Sequence, residues 1–447
     1  IDQRAIFGSA PRWSHDLDVP APGDAPAGLP AALAGRLVAE SLQGRGPVHL
    51  NLRFREPLVP EGPLPDPAGP VPRVDIGRGL PAAGAVEAAV AAVAGRRGLI
   101  VAGPRHRPGT AAAVAAAATA LGFPILADPQ SGLEGGPLDR SMLLHSGAAL
   151  IDAGSLDAMP PEAVLRVGPP HLSKHLGEWL AAHPEVAQVH VDEDGWRDTG
   201  ATVSQAIRAD ADLTLEAIAG AVDQAGPDGF AEAWLEDDLA ATQAVHNTLA
   251  GLPFPTEPAI AAAVGASLPD DALFYVASSM PIRDVALTFA PSDRPVRIAA
   301  NRGANGIDGF LSSALGAAAT GTRPVVALCG DLSALHDLTA LAAAARLSIP
   351  LTVVVVDNDG GGIFHFLPQR EHPEHFERHF GTPHGLDLAG AAAALGVEAS
   401  EVADRDTLES MVSVPAKRPR VAVVRTDREH NVGVHRQIAE AVRAALA

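Results

Sequence analysis

PVVALCGDLSALHDLTALAAAARLSIPLTVVVVDNDGGGIFHFLP, residues 324–368, carries two apolar runs on either side of a helical pattern. An apolar run over 325–329 stops at Gly330-Asp331. Leu335, Leu338, Leu341 and Ala345 then recur at three-to-four spacing, the period of a helix with one buried face. Pro350 closes that helix, because proline cannot extend it. A second apolar run over 351–356 reaches Asp357-Asn358-Asp359 and three glycines, Gly360, Gly361 and Gly362. Strand, helix and strand at this length predict parallel neighbours joined by a right-handed crossover. Both strand tips then share one sheet edge, where open α/β sheets bind their ligands. A carboxylate, an amide oxygen and a glycine backbone are hard oxygen donors of the kind Mg²⁺ takes beside water and phosphate. Glycine also lets backbone N–H groups close on an anion. Either turn alone reads as an ordinary strand end. On adjacent buried strands, the two predict a site at Asp331 and Asn358.

Composition bounds the rest. At 447 residues the chain has room for two or three domains, each with its own core. A net charge of −20 argues against nucleic acid or an anionic membrane as partner, and requires any anionic ligand to be held by local positive charge or metal. The alanine-rich run over 111–121 is far shorter than a membrane span. Cys329 is the only cysteine, so no intrachain disulfide forms and a reduced, cytoplasmic setting is expected.

Outward from the opening stretch, strands alternate with helices. Strands are predicted over 48–52, 98–102, 124–127, 163–167, 186–191, 273–276, 296–299 and 420–425, with helices over 30–42, 82–94, 110–121, 174–182, 387–395 and 434–446. That alternation is α/β, with doubly wound parallel sheets flanked by helices. Proline and glycine crowd residues 61–80, which read as a linker between 1–60 and the rest. Lys174 follows an N-capping Ser173, and a cation beside the positive end of a helix dipole points to a nearby anion. Arg283 and Arg302 follow the strands over 273–276 and 296–299, and arginine forks pair bidentately with carboxylates. The histidines at 365, 372, 375, 379 and 384 read as a solvated, mobile lid. HFERH places its glutamate wrongly for a zinc-protease motif.

Gly330-Asp331, followed 27 positions later by Asn358 and its glycines, is similar to the diphosphate- and Mg²⁺-binding signature of thiamine-diphosphate enzymes. The wording GDLSALHDL at 330–338 and DNDGGGIFHFLPQ at 357–369 resembles the MenD-type, or SEPHCHC synthase, family of menaquinone biosynthesis. So does GPVHLNLRFREPLVP at 46–60. General thiamine enzymes read Gly-Asp-Gly at the first position, where this chain has Gly330-Asp331-Leu332-Ser333.

The resemblance implies thiamine diphosphate with Mg²⁺ (or Mn²⁺) as cofactors. It implies decarboxylation of 2-oxoglutarate and 1,4-addition of the four-carbon unit to isochorismate, a transferase reaction. Residues 1–60 would close a pyrimidine-binding domain, 81–245 would be the central domain, and 246–447 the diphosphate-binding domain. Cofactor contacts fall on Gly330, Asp331, Leu332, Ser333, Ile307, Asn358, Gly360, Gly361 and Gly362, with the metal on Asp331, Asn358 and Gly360. Ile307 would wedge between the cofactor's rings. Substrate contacts fall on Lys174, Ser279, Arg283, Arg302, Ile363 and Phe364. The family's activating glutamate comes from the pyrimidine-binding domain, often across a homodimer or homotetramer. No position here matches it, so no catalytic side chain is assigned and the chain is expected to be shorter than the working enzyme. Two rivals stay open: another 2-oxoacid carboligase or decarboxylase, and a non-catalytic protein keeping only the Mg–diphosphate half-site.

Overall fold

The structure, a computed structural model, describes residues 2–19, 28–43, 46–59, 62–63, 72–104, 107, 109–301 and 305–447. They divide into two compact units, Ile1–Gly79 and Leu80–Ala447.

In the first unit, strand β1 (Trp13–Leu17) pairs in parallel with β2 (Val48–Leu52), and helix Leu29–Gln43 connects them. The strand at 48–52 and the helix follow the sequence reading. β1 does not, because WSHDL alternates too little to mark a buried face. Instead, Asp16 ties the pair together by accepting from Asn51 Nδ2 at 2.7 Å. Of the linker read over 61–80, residues 62–63 and 72–80 are described and exposed.

The second unit carries two parallel sheets. Strands β3 (Gly98–Ala102), β4 (Ile125–Ala127), β5 (Ala163–Val167), β6 (Ala187–Val191) and β7 (Gln205–Ile207) order as β4-β3-β5-β6-β7. Strands β8 (Leu273–Val276), β9 (Arg297–Ala300), β10 (Val325–Gly330), β11 (Thr352–Asp357), β12 (Glu398–Glu401) and β13 (Arg420–Arg425) order as β12-β13-β11-β10-β8-β9. Helices cover both faces of the larger sheet, so β10 and β11 bury both sides and read as unbroken apolar runs. Val354 is fully buried, a burial that contributes about 1.5–3 kcal/mol for a side chain of this class.

Helix Phe230–Ala250 packs on the C-terminal helix Arg428–Leu446. One apolar cluster draws Leu99 of β3 and Leu150 together with Trp234, Val434 and Ile438. The boundary read at 245 therefore lies inside a helix that joins the two sheets' surroundings. Among the described residues no helix is long and apolar enough to cross a membrane.

The helix expected between β10 and β11 is two helices, Asp331–His336 and Ala340–Leu347. Asp337 interrupts it, because its carboxylate accepts from Ser312 N at 2.6 Å and Ser312 Oγ at 3.0 Å on the neighbouring helix. A side chain engaged outward in this way caps rather than continues a helix.

Candidate active site

Chain order and strand order disagree at two places in the larger sheet, between β11 and β12 and between β9 and β10, and the second lies at the site. The chain goes from β8 outward to β9, then returns to lay β10 on the other side of β8. Such a reversal opens a crevice beyond the carboxyl ends of the two strands. Here it is a cavity of about 490 Å³, lined by the segments that follow β8, β9, β10 and β11 and by Leu172 and Glu257.

Register brings the two predicted ligands together. Gly330 pairs with Val356, so Asp331 and Asn358 leave adjacent strand tips. Asp331 is 1% exposed; its Oδ1 accepts from Leu332 N at 2.6 Å and its Oδ2 from Gly360 N at 2.7 Å. Burial pushes its carboxyl up to about 6, against the lowering pull of those two amides and of His384. Asn358 Nδ2 donates to Glu257 Oε1 at 2.8 Å, while Asn358 Oδ1 is buried and accepts no hydrogen bond among the described residues.

The glycines are required by close approach. Gly360 has φ +137°, and a Cβ there would lie 1.9 Å from Gly381 O. A Cβ on Gly361 would lie 2.2 Å from Phe380 O, and one on Gly362 would lie 2.6 Å from Asn358 Nδ2. The backbone of 380–381 is thus laid directly on the glycine turn, and Gly361 N donates to Gly381 O at 2.7 Å.

That contact changes the reading of the histidine-rich segment. His365 and Phe376 are buried and meet edge to face. His384 Nδ1 accepts from Leu386 N at 3.0 Å, which leaves Nε2 as the protonated nitrogen, 3.2 Å from Asp331 Oδ2. Part of the expected solvated lid is therefore packed floor. Asp331, Asp357 and His384 form the one group of three or more such side chains among the described residues whose acidic and imidazole atoms lie within 4.8 Å of one another.

Glu257 was not singled out from the sequence, yet it lines the cavity at 3% exposure. It opens helix Glu257–Ala266 behind the N-cap Thr256, and an acidic first turn is an ordinary helix start. Burial raises its carboxyl to about 7; Asp284 adds to this, and the bonds from Asn358 and Thr426 oppose it. Behind it, His435 Nε2 lies 2.9 Å from Asp284 Oδ1.

The substrate-type residues and the cofactor-type Ile307 fall in three places. Ser279, Arg283, Ile307, Ile363 and Phe364 line the cavity, with Gly330, Leu332 and Ser333. Ser279 holds φ +77° and ψ −137°, a conformation strained for a residue with a side chain, and Arg283 Nη1 donates to its carbonyl at 2.6 Å. Lys174 is not among the lining residues. Its ammonium sits 2.9 Å from Glu178 one helical turn on, with the side chain 84% exposed. The anion inferred for it from the helix start is thus supplied by its own helix. Arg302 lies outside the described residues.

The donor set fits a divalent cation. A buried carboxylate, a partnerless amide oxygen and a glycine backbone converge on one cavity wall.

Residues 284–426 match the family described as "Thiamine pyrophosphate enzyme, C-terminal TPP binding domain". A Bacillus velezensis protein named 2-succinyl-5-enolpyruvyl-6-hydroxy-3-cyclohexene-1-carboxylate synthase is 36% identical over 469 residues, covering 99% of this chain and 78% of that protein. Proteins of the same name from Chloroflexus aurantiacus and Haloarcula marismortui are 38% and 36% identical, each covering 100% of this chain and 78% and 80% of their own length. Among solved structures, benzoylformate decarboxylase from Polynucleobacter necessarius matches in fold with a TM-score of 0.63 at 18% identity, over 95% of this chain and 77% of that one. Relatives this similar over the whole of the chain decide its place: it belongs to the 2-succinyl-5-enolpyruvyl-6-hydroxy-3-cyclohexene-1-carboxylate synthase family of thiamine-diphosphate enzymes.

Proposed function

We propose that this protein decarboxylates 2-oxoglutarate and adds the four-carbon remainder to isochorismate, using thiamine diphosphate and Mg²⁺ or Mn²⁺. The observation that carries the reading is the single cavity at the strand reversal, where Asp331 and Asn358 meet Ser279 and Arg283. When bound, thiamine diphosphate supplies the nucleophile and the electron sink for loss of CO₂.

The chain's own residues bind and orient. Asp331, Asn358 Oδ1 and the Gly360 carbonyl hold the cation, and the backbone of Gly330, Leu332, Ser333, Gly361 and Gly362 faces the diphosphate. Ile307 packs on the cofactor. Arg283, with Arg302, pairs with substrate carboxylates, which matters because both substrates are dicarboxylates. Ile363 and Phe364, backed by Phe380 at 5.5 Å between ring centres, form an apolar wall that keeps water from the reacting carbon. A homodimer or dimer of dimers in the cytoplasm belongs to the same reading, consistent with one buried cysteine.

The test is turnover by the full gene product with 2-oxoglutarate and isochorismate, followed by loss of isochorismate absorbance and release of CO₂. The same measurement with pyruvate, or without isochorismate, separates this activity from other 2-oxoacid decarboxylases and carboligases. Turnover with pyruvate and none with isochorismate would overturn the proposal.

A further inference from the structure

Metal-ligating asparagine poses a chemical ambiguity. Its side chain ends in an acceptor oxygen and a donor NH₂ of nearly equal size, and only the oxygen can hold a cation. Something must decide which one faces the cavity. We propose that Glu257 is the positioning residue that makes this choice for Asn358, so that it sets metal affinity without touching the metal. The inference rests on Asn358 being a metal ligand.

Three observations carry it. First, Glu257 Oε1 takes the Asn358 Nδ2 hydrogen at 2.8 Å. That oxygen also accepts from Thr426 Oγ1, so it faces Asn358 as an acceptor and the flipped amide would set oxygen against oxygen. Second, the carboxylate is itself fixed. Thr426 Oγ1 donates to the same Oε1 at 3.2 Å, and Thr426 N donates to Asp357 O at 2.9 Å. Thr256 Oγ1 caps the helix that Glu257 begins by accepting from Ala259 N at 3.3 Å. Glu257 therefore belongs to a rigid frame tied to the tip of β11. Third, the backbone of Gly362 walls the amide on its nitrogen side, where a Cβ would lie 2.6 Å from Nδ2. The oxygen left over is the buried, partnerless Asn358 Oδ1. Burying a carboxylate is unfavourable, and a residue serving only to start a helix has no need to be 3% exposed.

The experiment is a Mn²⁺ titration of the thiamine-diphosphate-loaded protein, with free Mn²⁺ read by electron paramagnetic resonance. Glu257→Leu should weaken Mn²⁺ binding by about 10- to 100-fold, the usual effect of removing a residue that orients a metal ligand. Glu257→Gln keeps an acceptor oxygen and should stay within about threefold of wild type. Asn358→Asp sets a second carboxylate against Glu257 and should weaken binding, and adding Glu257→Gln to it should recover most of the loss. A residue that only supported the fold would shift the melting temperature in all of these without this pattern of rescue. If the leucine variant does not fold, the reciprocal pair decides. Unchanged Mn²⁺ affinity in Glu257→Leu, or a double variant no better than Asn358→Asp alone, overturns the positioning role provided that Asp331→Ala abolishes binding. Absence of Mn²⁺ binding in the wild type would instead overturn the metal-site reading itself.

Discussion

Across the tips of two neighbouring strands, the Gly360 amide donates to Asp331 Oδ2 at 2.7 Å. This bond links the end of β10 to the turn after β11 and lets the glycine turn hold a carboxylate in place. It also couples the site to the segment above, because the same glycine is pressed against Gly381 O.

Gly360→Ala should therefore be costly twice over. The added Cβ meets a backbone oxygen that cannot swing aside, in a φ region alanine avoids. Expected is a loss of about 2–4 kcal/mol in stability by denaturant unfolding, with Mn²⁺ affinity falling in parallel. Gly433→Ala, where nothing lies within 4 Å of the new atom, is the control.

Metal binding should follow the protonation of Asp331. Its carboxyl is raised by burial from 3.8 to about 6 in the metal-free protein, and a cation must displace the proton. Below that value Mn²⁺ affinity should fall by up to about tenfold per pH unit, and above it should level off. For folding the sign is opposite. A carboxyl with a raised pKa contributes stability that is complete below 3.8 and is lost as pH rises through about 6. Thermal melts of metal-free wild type and Asp331→Asn between those pH values should diverge, the variant being the flatter.

Arg283→Ala should act on substrate rather than cofactor. Losing a bidentate partner for a carboxylate should lower kcat/KM for 2-oxoglutarate or isochorismate by roughly 10- to 100-fold. Thiamine diphosphate and Mn²⁺ affinities should stay unchanged. Arg283→Lys should restore little, since an ammonium cannot reproduce the planar fork.

Trp234 carries no chemistry and should show it. It is fully buried where helix Phe230–Ala250 meets the C-terminal helix. Trp234→Ala should cost about 3–5 kcal/mol in unfolding free energy while leaving ligand affinities of the folded fraction intact.

Legibility from sequence tracked where each constraint comes from. β10 and β11 are buried on both faces, so continuous runs such as TVVVV announced them, and the turns at their ends announced Asp331 and Asn358. Short polar β1 had no such signature. Glu257 lies 101 positions before Asn358 and resembles any acidic helix start, so only the packed fold reveals its role. His384 was visible, but nothing local separates a histidine in a solvated loop from one resting on a buried carboxylate. The Lys174–Glu178 pair could have been read from KHLGE, because residues four apart share a helix face.

The acidic floor of the cavity has a kinetic corollary. Glu257 and Asp331 line that cavity and Asp357 lies beside Asp331, on a chain of net charge −20, so a diphosphate approaching alone should climb an electrostatic hill. The divalent ion is expected to arrive first or to escort the cofactor. Stopped-flow binding should then quicken, on the order of severalfold, as added salt shortens the screening length from roughly 30 Å to roughly 8 Å. Most charge-steered encounters slow under the same change.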